Sequence, residues 1–338
     1  MIVGTLVSFP GLGITVDVNP VAFTIGSFKI YWYGVLIALA MILCIVIAVK
    51  NSKAHNFPDS LVYDIMLVAL PCAIVGARAY YVLCNWGYYS ADMSRIIDTR
   101  SGGLAVYGGI IGAFLGVFIM CLIRKIPFTA LVDYYIVYVP LGQAIGRWGN
   151  FFNQEAFGTT THLPWGMTSA TVQSYLTLND PTLIATQPVH PTFLYESVAD
   201  LIIFFVLICV RKRSRHAFET SAVYFCLYGI IRFMIEGLRT DSLYIGSTGI
   251  RISQALSLLL VIASLVYIAI VHIKAIPCSV IPAKYYTVDV PKAAGDSSDA
   301  VKPYDSKTAA QTSEESVSSE NCTGDKSATG CDSDTRDA

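Results

Sequence analysis

Seven stretches of this chain are apolar over nearly the length a helix needs to cross a bilayer, about 20 residues. They run at about 30–49, 61–84, 104–123, 130–146, 192–210, 219–238 and 252–273. The fourth is short and turns polar at its end. The pattern predicts an all-α, polytopic membrane helix bundle of about seven transmembrane helices. The N-terminus shows no charged stretch followed by a short apolar core and a cleavage site. No cleaved signal peptide is therefore expected, and the first helix would serve as the insertion signal. Segment 147–191 is too long for a tight turn and is polar, with Thr, Asn, Pro and Trp. It predicts a small extracytoplasmic head, at about 150–191, within a membrane domain spanning 1–284. From about Tyr285 the chain turns to Ser, Asp, Thr, Lys, Ala and Gly. Residues 285–338 cannot bury enough apolar surface to fold, so a disordered acidic tail is expected there. No internal repeat is visible, which argues against an inverted-repeat transporter.

Composition agrees. Hydrophobic residues make up 54% of the chain and charged residues 14%, with mean hydropathy +0.56. A soluble chain carries about 25% charged residues, so a soluble globular protein is excluded. The formal net charge of -1 hides an asymmetry: from Tyr285 onward there are eleven acidic and five basic residues. Basic residues in the short loops set orientation. Lys50 and Lys53, Arg124 and Lys125, the run Arg211 to Arg215, and Lys274 fall on one side, predicted to be the cytoplasm. The opposite loops hold Arg95, Arg100, Arg147, Arg239 and Arg251. The N-terminus is thus expected outside and the C-terminus inside. The nine cysteines are mostly scattered singly through apolar segments, with no C-x-x-C or close His/Cys cluster. Neither a disulfide framework nor a zinc site is expected; no metal and no cofactor are expected.

One segment stands out chemically: Gly146-Arg147-Trp148-Gly149-Asn150-Phe151-Phe152-Asn153-Gln154-Glu155-Ala156-Phe157-Gly158. It follows an apolar run in a chain that is mostly membrane. Ionisable groups at such places cost roughly 2.5–3.5 kcal/mol each on insertion scales and are rarely idle. Arg147 and Asn150, three apart, share a helix face. A helix end with a snorkelling arginine and capping asparagines is the plainer alternative.

A second group, Tyr228, Arg232, Glu236 and Arg239, has spacings of four, four and three, which place it on one helix stripe. Arg232 and Glu236 form a self-neutralising pair in the plain reading; the excess arginine favours binding an anion. Arg78 lies near the outer third of the second span. Arginine offers phosphate two parallel hydrogen bonds, and a phospholipid headgroup is the anion found at that depth. Tyr33 sits in Tyr31-Trp32-Tyr33-Gly34, either an aromatic belt or a site tyrosine. Tyr107 is flanked by Gly102-Gly103 and Gly108-Gly109 and reaches a ligand or simply packs. His190 opens His190-Pro191-Thr192-Phe193-Leu194-Tyr195-Glu196, which reads equally as an acid/base pair with Glu196 or as a structural cap. Asp200 extends that polar stripe. Asp64 and Asp133 read as structural partners of arginine or backbone.

The pattern G-R-x-G-N-F-x-N-x-E-x-x-G resembles the signature of the prolipoprotein diacylglyceryl transferase family. The resemblance spans roughly residues 20 to 275 and includes, in the family's order, the Y-W-Y-G, G-A-R, double-glycine, H-P-x-x-L-Y-E and Y-G-x-x-R-x-x-x-E-x-x-R segments. It implies a multi-pass enzyme of the bacterial cytoplasmic membrane that moves a diacylglyceryl group from phosphatidylglycerol to the lipobox cysteine thiol of a preprolipoprotein. A thioether forms and glycerol phosphate leaves. Its partners would be phosphatidylglycerol, preprolipoprotein signal peptides and membrane lipid, with no nucleic acid, and a monomer is expected. Two positions depart from the best-known members: Tyr107 stands where many carry histidine, and Thr192-Phe193 replaces a Ser-Gln pair. No histidine base is therefore available at position 107.

The residue chemistry fits independently. A thiol of pKa about 8.5 is only a few per cent thiolate near neutral pH, and a departing phosphate gains charge that arginines stabilise. The expected catalytic residues are Arg147, Arg232, Tyr33, Asn150, Glu155 and Glu236. Arg147, Arg78, Tyr107, Arg239, His190, Asn153 and Gly158 are expected to bind substrate. The base stays open among Tyr33, Glu155 and His190. An anion channel or secondary transporter would also use intramembrane arginines but predicts broken helices at repeated positions. An intramembrane protease would need a nucleophile constellation that is not visible.

Overall fold

The computed structural model describes residues 6–278 and Ile281, apart from 27, 56, 91, 99–101, 180–183, 185, 241–248 and 250. The acidic tail and Arg100 lie outside the described residues. The fold is mostly helical. The main helices are α1 (Trp32–Ser52), α2 (Asp59–Cys84), the single turn α3 (Trp86–Tyr89), α4 (Val106–Arg124), α5 (Phe128–Tyr135), α6 (Val139–Asn153), α7 (Ala170–Asn179), α8 (Thr192–Arg213), α9 (Glu219–Glu236) and α10 (Ile252–Lys274).

Five of these, α1, α2, α4, α8 and α10, are long and apolar enough to cross a membrane. They turn large apolar side chains outward, among them Leu67, Val75, Ile111 and Leu259, as a lipid-facing surface requires. The expected fourth span is not one straight helix: α5 and α6 meet at 48° and make a sixth candidate only as a bent pair. The break has a local cause. Pro140, in the first turn of α6, has no N–H to donate back to the Ile136 carbonyl, so the ladder cannot run through. The sixth expected span, α9, is 18 residues long and holds three charged residues, Glu219, Arg232 and Glu236, so it is not among the helices apolar enough to cross.

The all-α expectation needs a correction. Two small antiparallel sheets are present. β1 (Leu6–Phe9) pairs with β2 (Ile14–Asp17) and, on its other edge, with the two-residue β5 (Thr168–Ser169). β3 (Val21–Ile25) and β4 (Phe28–Tyr31) form a hairpin leading into α1. Strands this short give almost no periodic signal. The first sheet, α7 and the end of α6 share a small core of Val7, Val18, Phe151, Phe157, Met167, Val172, Leu176, Val189 and Phe193. This small core joins N-terminal residues to the 147–191 segment and to the ends of α6 and α8.

Packing among the long helices fixes the site. α2 and α4 approach closely through Gly76, Gly108 and Gly112: a Cβ at any of them would run into the facing backbone. Small residues spaced by four are how membrane helices bring backbones together. α6 packs between α1 and α8, with the Tyr33 ring lying on Gly149, and Ser197 Oγ donates to the Ala144 carbonyl at 2.9 Å. α9 packs against both α8 and α10. The acids expected to be structural are so. Asp64 pairs with Arg124, and Asp133 Oδ1 accepts from Ser221 N at 2.9 Å and Ser221 Oγ at 2.6 Å.

Candidate active site

The signature segment ends a helix and then reverses. Gln154 caps α6 in the left-handed region (φ 51), and Ala156 is left-handed too (φ 57). Side chains with a Cβ pay for that conformation, so two in three residues mark a turn held from outside. The holding contacts are present. Thr192 Oγ1 donates to the Ala156 carbonyl, and Gly158 N donates to the His190 carbonyl at 2.9 Å. A Cβ on Gly158 would meet His190 and Thr192, so only glycine lets these strands of chain touch. The reversal folds Glu155 back onto the helix end. Its Oε1 accepts from Asn150 Nδ2 at 3.0 Å and from Asn153 Nδ2 at 3.1 Å.

Next to this turn, three arginines converge on one carboxylate. Glu196, on the first turns of α8, is buried. Its Oε2 pairs with Arg147 from α6. Its Oε1 lies 3.2 Å from Arg232 Nη1 on α9 and 3.4 Å from Arg239 Nη1 just beyond α9. Arg232 Nη2 also lies 2.6 Å from Glu236 Oε2, the i,i+4 pair that the spacing predicts. Arg239 is positioned by backbone: it bridges to Gly158, and Thr159 N donates to the Leu238 carbonyl at 2.7 Å. Arg251 donates to the Glu236 carbonyl. Among the described residues, three guanidinium groups thus gather on Glu196, with Glu236 beneath Arg232. The arginines keep 21%, 19% and 12% of their side-chain surface exposed, against 5% and 2% for the two carboxylates. The anions are sealed beneath and the cations reach outward, as a receptor for an incoming anion requires. One turn beyond Glu196, Asp200 is also buried, with Oδ2 lacking a hydrogen-bond partner among the described residues.

The other expected residues fall in three places. Tyr33 sits beside α6 on Gly149. His190 does not pair with Glu196, which the arginines occupy. Its Nδ1 lies 3.2 Å from the Tyr195 hydroxyl, which also accepts from Trp165 Nε1 at 2.8 Å. Burial holds the His190 imidazole below the usual histidine range, so it is neutral near pH 7. Arg78 and Tyr107 belong to the α2–α4 pair. Tyr107 opens α4 and is exposed. Arg78 is buried, and its guanidinium is turned to the loop rather than to the other arginines. Nε donates to Ile96 O (2.7 Å), Nη1 to Gly102 O (3.0 Å) and Gly103 O (2.9 Å), and Nη2 to Arg95 O (2.6 Å) and Asp98 O (2.7 Å). All five of its N–H donors are used by backbone carbonyls.

Two features escaped the sequence reading. Glu196 is the shared carboxylate of the cluster; only its place in the H-P-x-x-L-Y-E segment hinted at it. Tyr224, whose hydroxyl donates to Gln143 Oε1 at 3.0 Å and whose ring stacks on Tyr228 at 5.6 Å, forms the polar floor between α6 and α9. No charge marks it.

Comparison with known proteins gives a consistent result. The family model described as prolipoprotein diacylglyceryl transferase matches residues 20–270. A protein of Finegoldia magna is 47% identical over 247 residues, covering 73% of this chain and 93% of the relative. One from Clostridioides difficile is 44% identical over 246 residues, covering 73% and 92%. One from Clostridium novyi is 40% identical over 258 residues, covering 76% and 97%. All three bear the name phosphatidylglycerol–prolipoprotein diacylglyceryl transferase.

Proposed function

The chain belongs to the prolipoprotein diacylglyceryl transferase family, and on that premise we propose that the arginine cluster around Glu196 receives the phosphate of phosphatidylglycerol. The protein is a transferase that moves the diacylglyceryl group of phosphatidylglycerol to prolipoprotein. The acceptor is the lipobox cysteine thiol. Its sulfur attacks the glyceryl carbon bearing the phosphate ester. A carbon–sulfur bond forms, the carbon–oxygen bond breaks, and its electron pair leaves on the phosphate oxygen as glycerol phosphate. The thiol proton passes to a base, for which Tyr33, Glu155 and His190 are the candidates.

The phosphodiester carries one negative charge, and the departing monoester gains a second. Arg147, Arg232 and Arg239 serve that gain, because preorganised donors act most where charge develops. The observation that carries this reading is the convergence of three guanidinium groups on one buried carboxylate. A headgroup phosphate would take over bonds that Glu196 now occupies. Asn150, Asn153 and Glu155 fix the turn that presents Arg147 and Gly158, and Glu236 holds Arg232 from beneath. Tyr107, exposed at the start of α4, contacts the lipid substrate, and Arg78 holds the carbonyls of Arg95, Ile96, Asp98, Gly102 and Gly103.

Seven crossings complete the reading, with the α5–α6 pair and α9 as the fourth and sixth. The N-terminus is outside and the C-terminus is in the cytoplasm of a bacterium whose inner membrane holds the protein as a monomer. The basic ends Lys50, Arg124, Arg211–Arg215 and Lys274 support this orientation. The arginine cluster then lies at the outer face. The testing experiment is phosphatidylglycerol binding by the purified protein: Arg147→Ala and Arg232→Ala weaken it, whereas unchanged affinity in both would remove the cluster from the headgroup.

A further inference from the structure

At the ends of α8, α9 and α10 opposite the arginine cluster, two side chains of one turn meet a third that is remote in sequence. His216 lies in the α8–α9 connection, Glu219 opens α9, and His272 stands in the last turns of α10. One ligand atom from each lies within 4.8 Å of the others. His272 Nε2 is 3.1 Å from Glu219 Oε1, and His216 Nδ1 is 3.4 Å from Glu219 Oε2. The two imidazole rings are 4.5 Å apart and tilted by 56°.

These separations have a meaning for a metal. Ligands about 2.0–2.2 Å from a tetrahedral zinc ion stand roughly 3.3–3.5 Å from one another. The two histidine–carboxylate spacings, each to a different Glu219 oxygen, are of that order, and the three ligand atoms all fall within 4.8 Å, so closing on one ion asks for a shift of about an ångström. The donor set is two imidazole nitrogens and one carboxylate oxygen, which suits zinc and its transition-metal neighbours rather than magnesium or calcium. His216 Nδ1 is buried and, among the described residues, has no hydrogen-bond partner. This buried ring nitrogen faces the Glu219 carboxylate at 3.4 Å and the second imidazole, which is where a coordinating lone pair would stand.

The surroundings are fixed rather than adaptable. Glu219 Oε2 accepts from Ser214 Oγ (2.9 Å), Arg215 N (3.1 Å) and His216 N (3.2 Å), which locks the carboxylate and leaves Oε1 toward His272. The segment after α10 is laced to the same turn. His216 bridges to Pro277, Cys278 N donates to the Arg215 carbonyl at 3.2 Å, and Cys278 Sγ donates to the His216 carbonyl at 3.2 Å. Outer contacts of this sort hold first ligands in register.

We propose that His216, Glu219 and His272 bind one divalent transition-metal ion of the zinc class, clamping the α8–α9 turn to the end of α10. The site is separate from the transferase centre, since α8 runs 22 residues from Thr192, beside the arginines, to Arg213. It is invisible to a search for close His/Cys spacing because His272 is remote in sequence.

The test uses the full chain, purified in detergent without a histidine tag and stripped by chelator. Zn2+ is titrated by calorimetry, and Co2+ by absorption. Wild type should take up one equivalent of either, and zinc should raise its thermal midpoint. His272→Ala leaves the Glu219 contacts to Ser214, Arg215 and His216 intact and should weaken zinc binding at least tenfold, with the thermal shift lost; His216→Ala should act alike. The three remaining histidines, His55, His162 and His190, make no contribution in this account. Absence of saturable one-equivalent binding in wild type would overturn the proposal. So would undiminished binding in both variants.

Discussion

Arg147 and Glu196 form an ion pair across α6 and α8, with the carboxylate buried and the guanidinium partly open. The pair joins the signature segment to the histidine–proline segment. Arg147→Lys keeps the charge but loses the planar two-bond contact. Turnover should fall by about 100-fold or more, the scale of losing one preorganised donor to a developing oxyanion. Membrane abundance should stay near wild type. Mass spectrometry of the thioether product, normalised to protein level, reads the effect; near-normal rates would remove Arg147 from the reacting phosphate.

Glu196 is the hub that keeps three cations together. Glu196→Ala strands them in a poorly solvated place, and breaking a buried ion pair from one side costs about 3–5 kcal/mol. A thermal midpoint well below that of Glu196→Gln, which retains hydrogen bonding, is the expected outcome. Equal midpoints for wild type and both variants would show that the cluster holds without its anion.

Arg78 predicts a different phenotype. Its five bonds hold the carbonyls of Arg95, Ile96, Asp98, Gly102 and Gly103, so Arg78→Lys, with three donors, cannot replace it. Limited proteolysis should cut this loop faster in Arg78→Lys than in wild type. Unchanged protection would mean that the loop stands without the guanidinium.

Much of this was legible in the sequence, and the gaps have physical causes. Arg232 and Glu236 could be paired from spacing alone because helix geometry is local. Glu196 could not be placed against Arg147, Arg232 and Arg239, since that needs the packing of α6, α8 and α9. Arg78 read as a headgroup ligand because an arginine in a span looks alike whether it meets phosphate or carbonyls. The bend at Pro140 was written in the chain, but a hydropathy window averages over it. The strands escaped because four residues of β1 are too few to show alternation.

Orientation is tested with single cysteines in a cysteine-free background. An impermeant thiol reagent applied from outside should label a cysteine at Thr161 and spare one at Ser214. The reverse pattern would invert the topology.

The tail carries a prediction from sequence. On the proposed cytoplasmic side, its negative charge would keep it off an anionic inner leaflet, and coupling to chemistry across the membrane would need a two-state element. Truncation after Lys284 should leave specific activity within a few-fold of the full chain. Tenfold loss at equal membrane abundance would reveal a regulatory or assembly role.

The central claim is that the arginines gathered by Glu196 bind the phosphate that leaves when a cysteine takes the diacylglyceryl group. The direct measurement combines the purified protein, phosphatidylglycerol and a lipobox peptide, following thioether peptide and free glycerol phosphate together. Wild type should release one glycerol phosphate per thioether formed, and Arg232→Ala, at equal protein, should form neither at a comparable rate. Thioether formation undiminished in Arg232→Ala, or none in wild type, would contradict the account.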